Sequence, residues 1–296
     1  MARLTAADFH PEALRLFDQY VHGDISRRGF IDRASHLAGG SAAAAGLLAA
    51  LSPQFAAAQG VAPNDPRIET RQQAFDSPLG NGRVQGLLAK PANTSAKLPV
   101  VLVVHENRGL NPHIEDIARR LASDGFLAYA PDALAPLGGY PGDEDKAREA
   151  FAKLDMGKTR ADFVAASRAL LALPEGNGKL GAVGFCFGGG MVNYLATQLP
   201  ELSVGVPFYG AQAPAADVPR IKAALLIHYA ANDDRINAGA PAFEAALQAA
   251  GLRYQQHTYP NTQHGFNNDT TPRYDAAAAQ LAWQRTLAHL RSHLLT

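Results

Sequence analysis

From residue 68 onward, short apolar runs alternate with amphipathic stretches. Ile68 to Phe75 and Val84 to Ala89 read as strands, joined by a turn at Ser77-Pro78-Leu79-Gly80-Asn81-Gly82. Leu98 to Val104 is an unbroken valine-rich run, the pattern of a strand buried on both faces. A helix follows from His113 to Asp124, with Gly125 where a C-cap glycine belongs, and Phe126 to Ala130 is the next strand. Ala133 to Asp143, dense in glycine and proline, reads as a loop over a site. Helices are expected at Glu144 to Lys153, Thr159 to Leu173, Ala240 to Ala250 and Pro272 to Leu295. Strands are expected at Leu180 to Phe185, Leu202 to Tyr209, Ala223 to Tyr229 and Tyr254 to Tyr259. Alternation of strands with helices implies an α/β fold: a mostly parallel central sheet with helices on both faces.

The first 59 residues differ in kind. Pro11 to Val21 has the spacing of an amphipathic helix, with Leu14, Leu16, Phe17, Tyr20 and Val21 apolar. Ser26-Arg27-Arg28-Gly29-Phe30-Ile31 then places paired arginines before a weakly apolar stretch, Ala34 to Leu51. Phe55-Ala56-Ala57-Ala58-Gln59 offers an A-x-A-like cleavage point after Ala58. This pattern resembles a twin-arginine export signal and predicts a periplasmic or exported protein. The alternative is an uncleaved helical arm packed on the domain of a cytoplasmic protein. The stretch is too rich in small residues for a stable membrane anchor. The expected organisation is therefore a leader over residues 1–59 and a single α/β domain over residues 60–296.

Composition narrows the function. Of 296 residues, 27 are Lys or Arg and 27 are Asp or Glu, so the chain has no formal net charge. No basic stripe points to nucleic acid and no acidic tail to a basic partner. Hydrophobic residues make up 47% of the chain, enough for a sizeable core. A single cysteine excludes an internal disulfide.

That cysteine lies in Gly184-Phe185-Cys186-Phe187-Gly188, between an expected strand and an expected helix. This is the strand–turn–helix setting of a nucleophile elbow, G-x-S-x-G, with cysteine in place of serine. Glycines allow the sharp turn that lifts the central side chain above the sheet. Asp233 follows the strand Ala223 to Tyr229, and His264 follows the strand ending near Tyr259. In open α/β sheets, sites form at the carboxyl ends of strands. Nucleophile, acid, histidine is the chain order of α/β-hydrolases. The types suit the chemistry: histidine takes the thiol proton, and a carboxylate orients the imidazole and steadies its charged form. Asp234 is a rival for Asp233, which could alternatively serve as a helix cap.

With these residues the sequence resembles the dienelactone hydrolase family. The resemblance is carried by Gly184 to Gly189, by Asn232-Asp233-Asp234-Arg235-Ile236, by His264-Gly265-Phe266, and by His105-Glu106-Asn107-Arg108-Gly109-Leu110-Asn111. It extends over about Ile68 to Leu294. It implies a compact α/β-hydrolase fold and hydrolysis of a small ester or lactone through an acyl-cysteine intermediate. It further implies that Glu106 contacts and helps activate the resting thiol. The backbone N–H groups of Phe187 and Asn107 would form the oxyanion hole. An ion pair with Arg108 or Arg120 is the structural alternative for Glu106. Substrate contacts are expected from Arg108, Tyr140, Tyr209 and Phe266.

One departure bears on the substrate. Family members that cleave dienelactone hold the substrate carboxylate with an arginine shortly after the catalytic histidine. Here Asn267 and Asn268 follow, and the next arginine is Arg273. Asparagine lacks the charged fork that suits a carboxylate, so a neutral ester or lactone is an equal expectation. No cofactor is implied. A metal site from His105, His113, His257 and His264 lacks a recognised ligand spacing. A non-hydrolytic thiol protein on the same fold is the rival function, although no second cysteine exists to resolve an oxidised one.

Overall fold

The computed structural model describes residues 3–57 and 60–295. The expected cleavage point after Ala58 lies outside the described residues. Eight strands form one sheet: β1 (Ile68–Ser77), β2 (Gly82–Pro91), β3 (Leu98–Val104), β4 (Leu127–Pro131), β5 (Gly176–Phe185), β6 (Leu202–Phe208), β7 (Ala224–Asn232) and β8 (Tyr254–Gln263). Their order is β1-β2-β4-β3-β5-β6-β7-β8. The β1–β2 and β2–β4 pairs are antiparallel and the others parallel.

The α/β expectation holds, and β3 shows its physical basis. Val101 and Val103 enter one apolar cluster; Val100, Leu102 and Val104 enter the other. Every β3 residue is buried, because helices cover both sheet faces. On one face lie α4 (Pro112–Ser123), through Ile114, Ile117 and Leu121, and α10 (Ala276–Leu294), through Leu287, Leu290 and Leu294. On the other lie α6 (Met156–Leu171), α7 (Phe187–Gln198) and α9 (Ala240–Ala249), through Phe163, Leu195 and Phe243 among others. The other α-helices among the described residues of this domain are α5 (Glu144–Phe151) and the single turn α8 (Asp234–Asn237).

β7 and β8 run several residues past their expected ends. The β7 extension is Ala230-Ala231-Asn232 and the β8 extension is mostly polar, and pairing, as in the Asn232–Gln263 register, carries both past the strongly apolar runs. Asp233 and His264 therefore follow their strands directly. α10 begins at Ala276, four residues later than expected, because the Asp275 side chain caps it by accepting from the Ala278 N–H.

The N-terminal segment forms three helices: α1 (Pro11–His22), α2 (Arg27–Ala38) and α3 (Ser41–Leu51). Gly39 (φ 81°) and Gly40 (φ 139°) separate α2 from α3 in backbone conformations that favour glycine. No single described helix is long and apolar enough to cross a membrane. α2 and α3 together have that length and apolarity, but they meet at a bend of 108°. The three helices share their own cluster, with Leu14, Phe17, Tyr20, Phe30, Leu48 and Leu51 buried. The segment docks on the sheet domain: Gln54 N–H donates to the Thr270 carbonyl at 2.8 Å, and the Val21 carbonyl accepts from Asn107 Nδ2 at 2.9 Å. At the start of the domain, Gly60 N–H and Val61 N–H each donate to Asp116 of α4 at 2.8 Å.

Candidate active site

The nucleophile elbow is a backbone event. β5 ends at Phe185, α7 starts at Phe187, and Cys186 between them has φ 55° and ψ −114°. A non-glycine residue at positive φ is strained and is held by its surroundings. A Cβ on Gly184 would lie 2.1 Å from the Gly188 carbonyl oxygen, and one on Gly188 would lie 2.2 Å from that of Val104. Only hydrogen side chains fit this crossing. The turn also sets the thiol at the N-terminus of α7, whose partial positive charge favours a thiolate.

Asp233 holds two partners. Its Oδ1 caps α8 by accepting from Ile236 N–H at 3.3 Å, and its Oδ2 meets His264 Nδ1 at 2.6 Å. The helix-cap contact and the histidine contact therefore coexist in one carboxylate. Asp234, the rival, is exposed. His264 Nε2 is buried without a hydrogen-bond partner, and the ring packs on Tyr209 with centroids 4.9 Å apart.

A second histidine joins the thiol, and sequence reasoning missed it. His22, the last residue of α1, brings Nε2 to 3.4 Å from Cys186 Sγ. The ligand atoms of His22, Cys186 and His264 all lie within 4.8 Å of one another. Such an S/N/N set could hold a thiophilic divalent ion. The four histidines that lacked a ligand spacing in the sequence have separate surroundings: His105 Nε2 accepts from Ala133 N–H, His113 faces Asp269, and His257 stacks near His228. The only local signal for His22 was its place before Gly23, which ends α1 at φ 87°. Nothing local points across 164 positions to Cys186.

The charges agree with this geometry. Burial alone would push the Cys186 thiol up, but the His264 and His22 imidazoliums draw it down to about 5. For His264, burial favours the neutral ring, yet the Cys186 thiolate and Asp233 raise it to about 10. His22 is likewise raised, with burial opposing and Cys186 and Asp18 prevailing.

Several expected contacts are rearranged. Glu106 is not the thiol's hydrogen-bond partner: its Oε2 accepts from Asn268 Nδ2 at 3.0 Å, and the thiol bonds His22. Asn268, noted for lacking a guanidinium, thus occupies the carboxylate. The Arg108 guanidinium is buried and committed to the N-terminal segment and its own loop. It donates to the Val21 carbonyl and to Asn107 Oδ1, and it faces Glu144 at 3.5 Å. Tyr140 donates to Glu144 and lines a separate cavity beside Asp132 and Gln72. Tyr209 and Phe266 are fully buried and pack against each other, behind His264 rather than in a pocket. Arg273 faces Asp18 at 3.4 Å and the Phe17 ring, on the side of the N-terminal helices.

A cavity of about 460 Å³ opens on Cys186. Asn107 and Phe187, the two expected oxyanion donors, line it, with His22, Met156, Met191 and Tyr194. Its arginines, Arg160 and Arg235, are exposed.

Comparison with known proteins agrees with this architecture. A family model described as "Dienelactone hydrolase family" matches residues 84–294, and one described as "YqhI-like" matches residues 1–40. The Escherichia coli (strain K12) protein named "Putative hydrolase fragment YghX" is 52% identical over 105 residues, 36% of this chain and 90% of that protein. A "Putative carboxymethylenebutenolidase" from Synechocystis sp. is 33% identical over 240 residues, 74% of this chain and 95% of its own. Among solved structures, a dienelactone hydrolase-like promiscuous phosphotriesterase from metagenomic libraries is similar with a TM-score of 0.66 at 26% identity. The match covers 77% of this chain and 99% of that one.

Proposed function

The chain belongs to the dienelactone hydrolase family, with its α/β-hydrolase fold, and from that premise we propose that it is a cysteine-dependent hydrolase of small esters or lactones. The observation that carries the proposal is the buried set Cys186, His264 and Asp233 at the carboxyl ends of three parallel strands, beside an open cavity.

The Cys186 thiolate attacks the substrate carbonyl, whose π electrons move to oxygen and are met by the N–H groups of Phe187 and Asn107. Collapse expels the alkoxide, which takes a proton from His264 Nε2, and a thioester on Cys186 remains. Water then gives a proton to His264 as its oxygen adds to the thioester. The second collapse releases the acid and restores the thiolate. Asp233 keeps Nδ1–H directed at itself, so that Nε2 faces the reaction.

The cavity favours neutral acyl groups. Met156, Met191, Tyr194 and Ile236 supply apolar wall, and its exposed arginines hold a carboxylate less firmly than a buried fork would.

Cys186→Ala should abolish turnover of a short-chain activated ester, Cys186→Ser should leave weak activity, and mass spectrometry should find the acyl group on Cys186. Wild-type rates from Cys186→Ala would overturn the assignment. A panel pairing each neutral ester with a carboxylate-bearing analogue tests the preference.

For the N-terminal segment we propose retention on the domain rather than removal as an export leader. Its own buried cluster, the bonds of its Val21 carbonyl to Asn107 and Arg108, and that of Gln54 N–H to the Thr270 carbonyl support that choice. N-terminal sequencing of the protein from its native host decides it; a mature chain starting at Gln59 would establish export with cleavage.

A further inference from the structure

We propose that His22, carried by the N-terminal helix α1, is a further catalytic residue: in the resting protein its Nε2 takes the proton of the Cys186 thiol. The inference rests on the reading of Cys186 as nucleophile. It assigns the N-terminal segment a chemical part in the site.

His22 repeats the design of His264. Each ring turns Nε2 towards Cys186 and Nδ1 towards an aspartate: Asp233 for His264, Asp18 for His22. His22 Nδ1–H donates to the Asp18 backbone carbonyl at 2.8 Å and lies 3.3 Å from the Asp18 carboxylate. Arg273, at 3.4 Å from Asp18 Oδ1, steadies that carboxylate in turn. A base oriented by a third group is the arrangement that activates a nucleophile.

The segment is fastened where precision matters. The Val21 carbonyl, one residue before His22, accepts from Asn107 Nδ2 at 2.9 Å and from Arg108 at 3.3 Å. The loop expected to hold the oxyanion therefore also sets the position of His22. Glu106, which the family resemblance assigned to the resting thiol, is occupied by Asn268. His22 fills the vacated role.

The ring is a wall of the site and does not plug it. The cavity of about 460 Å³ lined by His22 still reaches Cys186, Phe187 and Asn107. The step balances: the Sγ–H bond breaks, its electron pair stays on sulfur, and the proton bonds to His22 Nε2. The groups facing that ring are Cys186 and Asp18, which favour the added charge, and His264 and Arg235, which oppose it. Arg235 Nη2 is 2.8 Å from Nε2, but its side chain is exposed, so proton uptake displaces it into solvent.

The test is the pH profile of Cys186 alkylation by iodoacetamide in the full chain, with EDTA present, for wild type, His22→Ala and His22→Gln. Circular dichroism identifies the folded variants. Removing the imidazole should move the midpoint up by about one pH unit, making alkylation at pH 5 roughly fivefold slower. A folded His22→Gln whose profile superimposes on wild type would overturn the proposal, even if His22→Ala does not fold. The two readings fail separately. Coincident profiles remove His22 and leave the hydrolase assignment intact. Undiminished hydrolysis by Cys186→Ala removes the hydrolase assignment, while the alkylation profiles still judge the proton transfer.

Discussion

His264 Nδ1 and Asp233 Oδ2 lie 2.6 Å apart, both side chains buried, while the other Asp233 oxygen caps α8. Asp233→Asn separates these functions. The amide oxygen can still cap the helix, so the fold should persist. An amide cannot stabilise an imidazolium, and its N–H₂ can force the wrong tautomer. Ester turnover should fall by about 10³-fold or more, with little change in thermal midpoint. Steady-state kinetics beside a melting curve checks both halves.

The thiol should be reactive in mild acid. Its pKa is lowered to about 5 and that of His264 raised to about 10, so thiolate and imidazolium coexist between those limits. As pH falls through about 5 the thiolate is lost; as pH rises through about 10 the imidazolium is lost. Alkylation of wild-type Cys186 should therefore rise through about pH 5 and be near its plateau at neutrality. A midpoint near the ordinary thiol value of about 8.5 would contradict the charge pairing.

Gly188→Ala should damage both stability and activity. The added methyl would meet the Val104 carbonyl oxygen at 2.2 Å, and that atom belongs to a buried strand with no room to give. A loss of about 1–3 kcal/mol is expected, read from the urea midpoint. Turnover should drop further, since the same crossing aims Cys186.

Phe30→Ala should loosen the N-terminal helices while sparing the sheet. Phe30 is fully buried in a cluster separate from the two sheet-face clusters. Truncating a buried phenylalanine costs about 3–5 kcal/mol, a large fraction of what so small a cluster can hold. Trypsin should cut faster at Arg27, Arg28 and Arg33, and the domain's main unfolding transition should stay in place. Unchanged cleavage would indicate that docking, not the cluster, holds the segment.

Much of this molecule is legible in local pattern. The seven-residue apolar run of β3 requires cover on both sides, which means a parallel sheet between helix layers. Gly184 and Gly188 around Cys186 require a crossing that admits no side chain, which means an elbow. The order Cys186, Asp233, His264 follows from strand ends that hydrophobic periodicity locates to within a few residues. Boundaries were less legible where pairing extends an element beyond its strongly apolar run, as in β7 and β8.

The sequence by itself determined the fold class, the elbow that carries Cys186 and the chain order in which Asp233 and His264 follow it, because each rests on a short-range rule of periodicity, turn geometry or residue chemistry. Tertiary structure alone decided which groups meet the thiol. Glu106 and Asn268 are separated by 162 positions and His22 and Cys186 by 164, and no local propensity encodes such contacts. They arise because α1 docks through Val21 onto the loop of Asn107 and Arg108, and because the loop after β8 brings Asn268 within hydrogen-bond reach of Glu106. Competition among buried polar groups for partners is settled only once the core has closed around them.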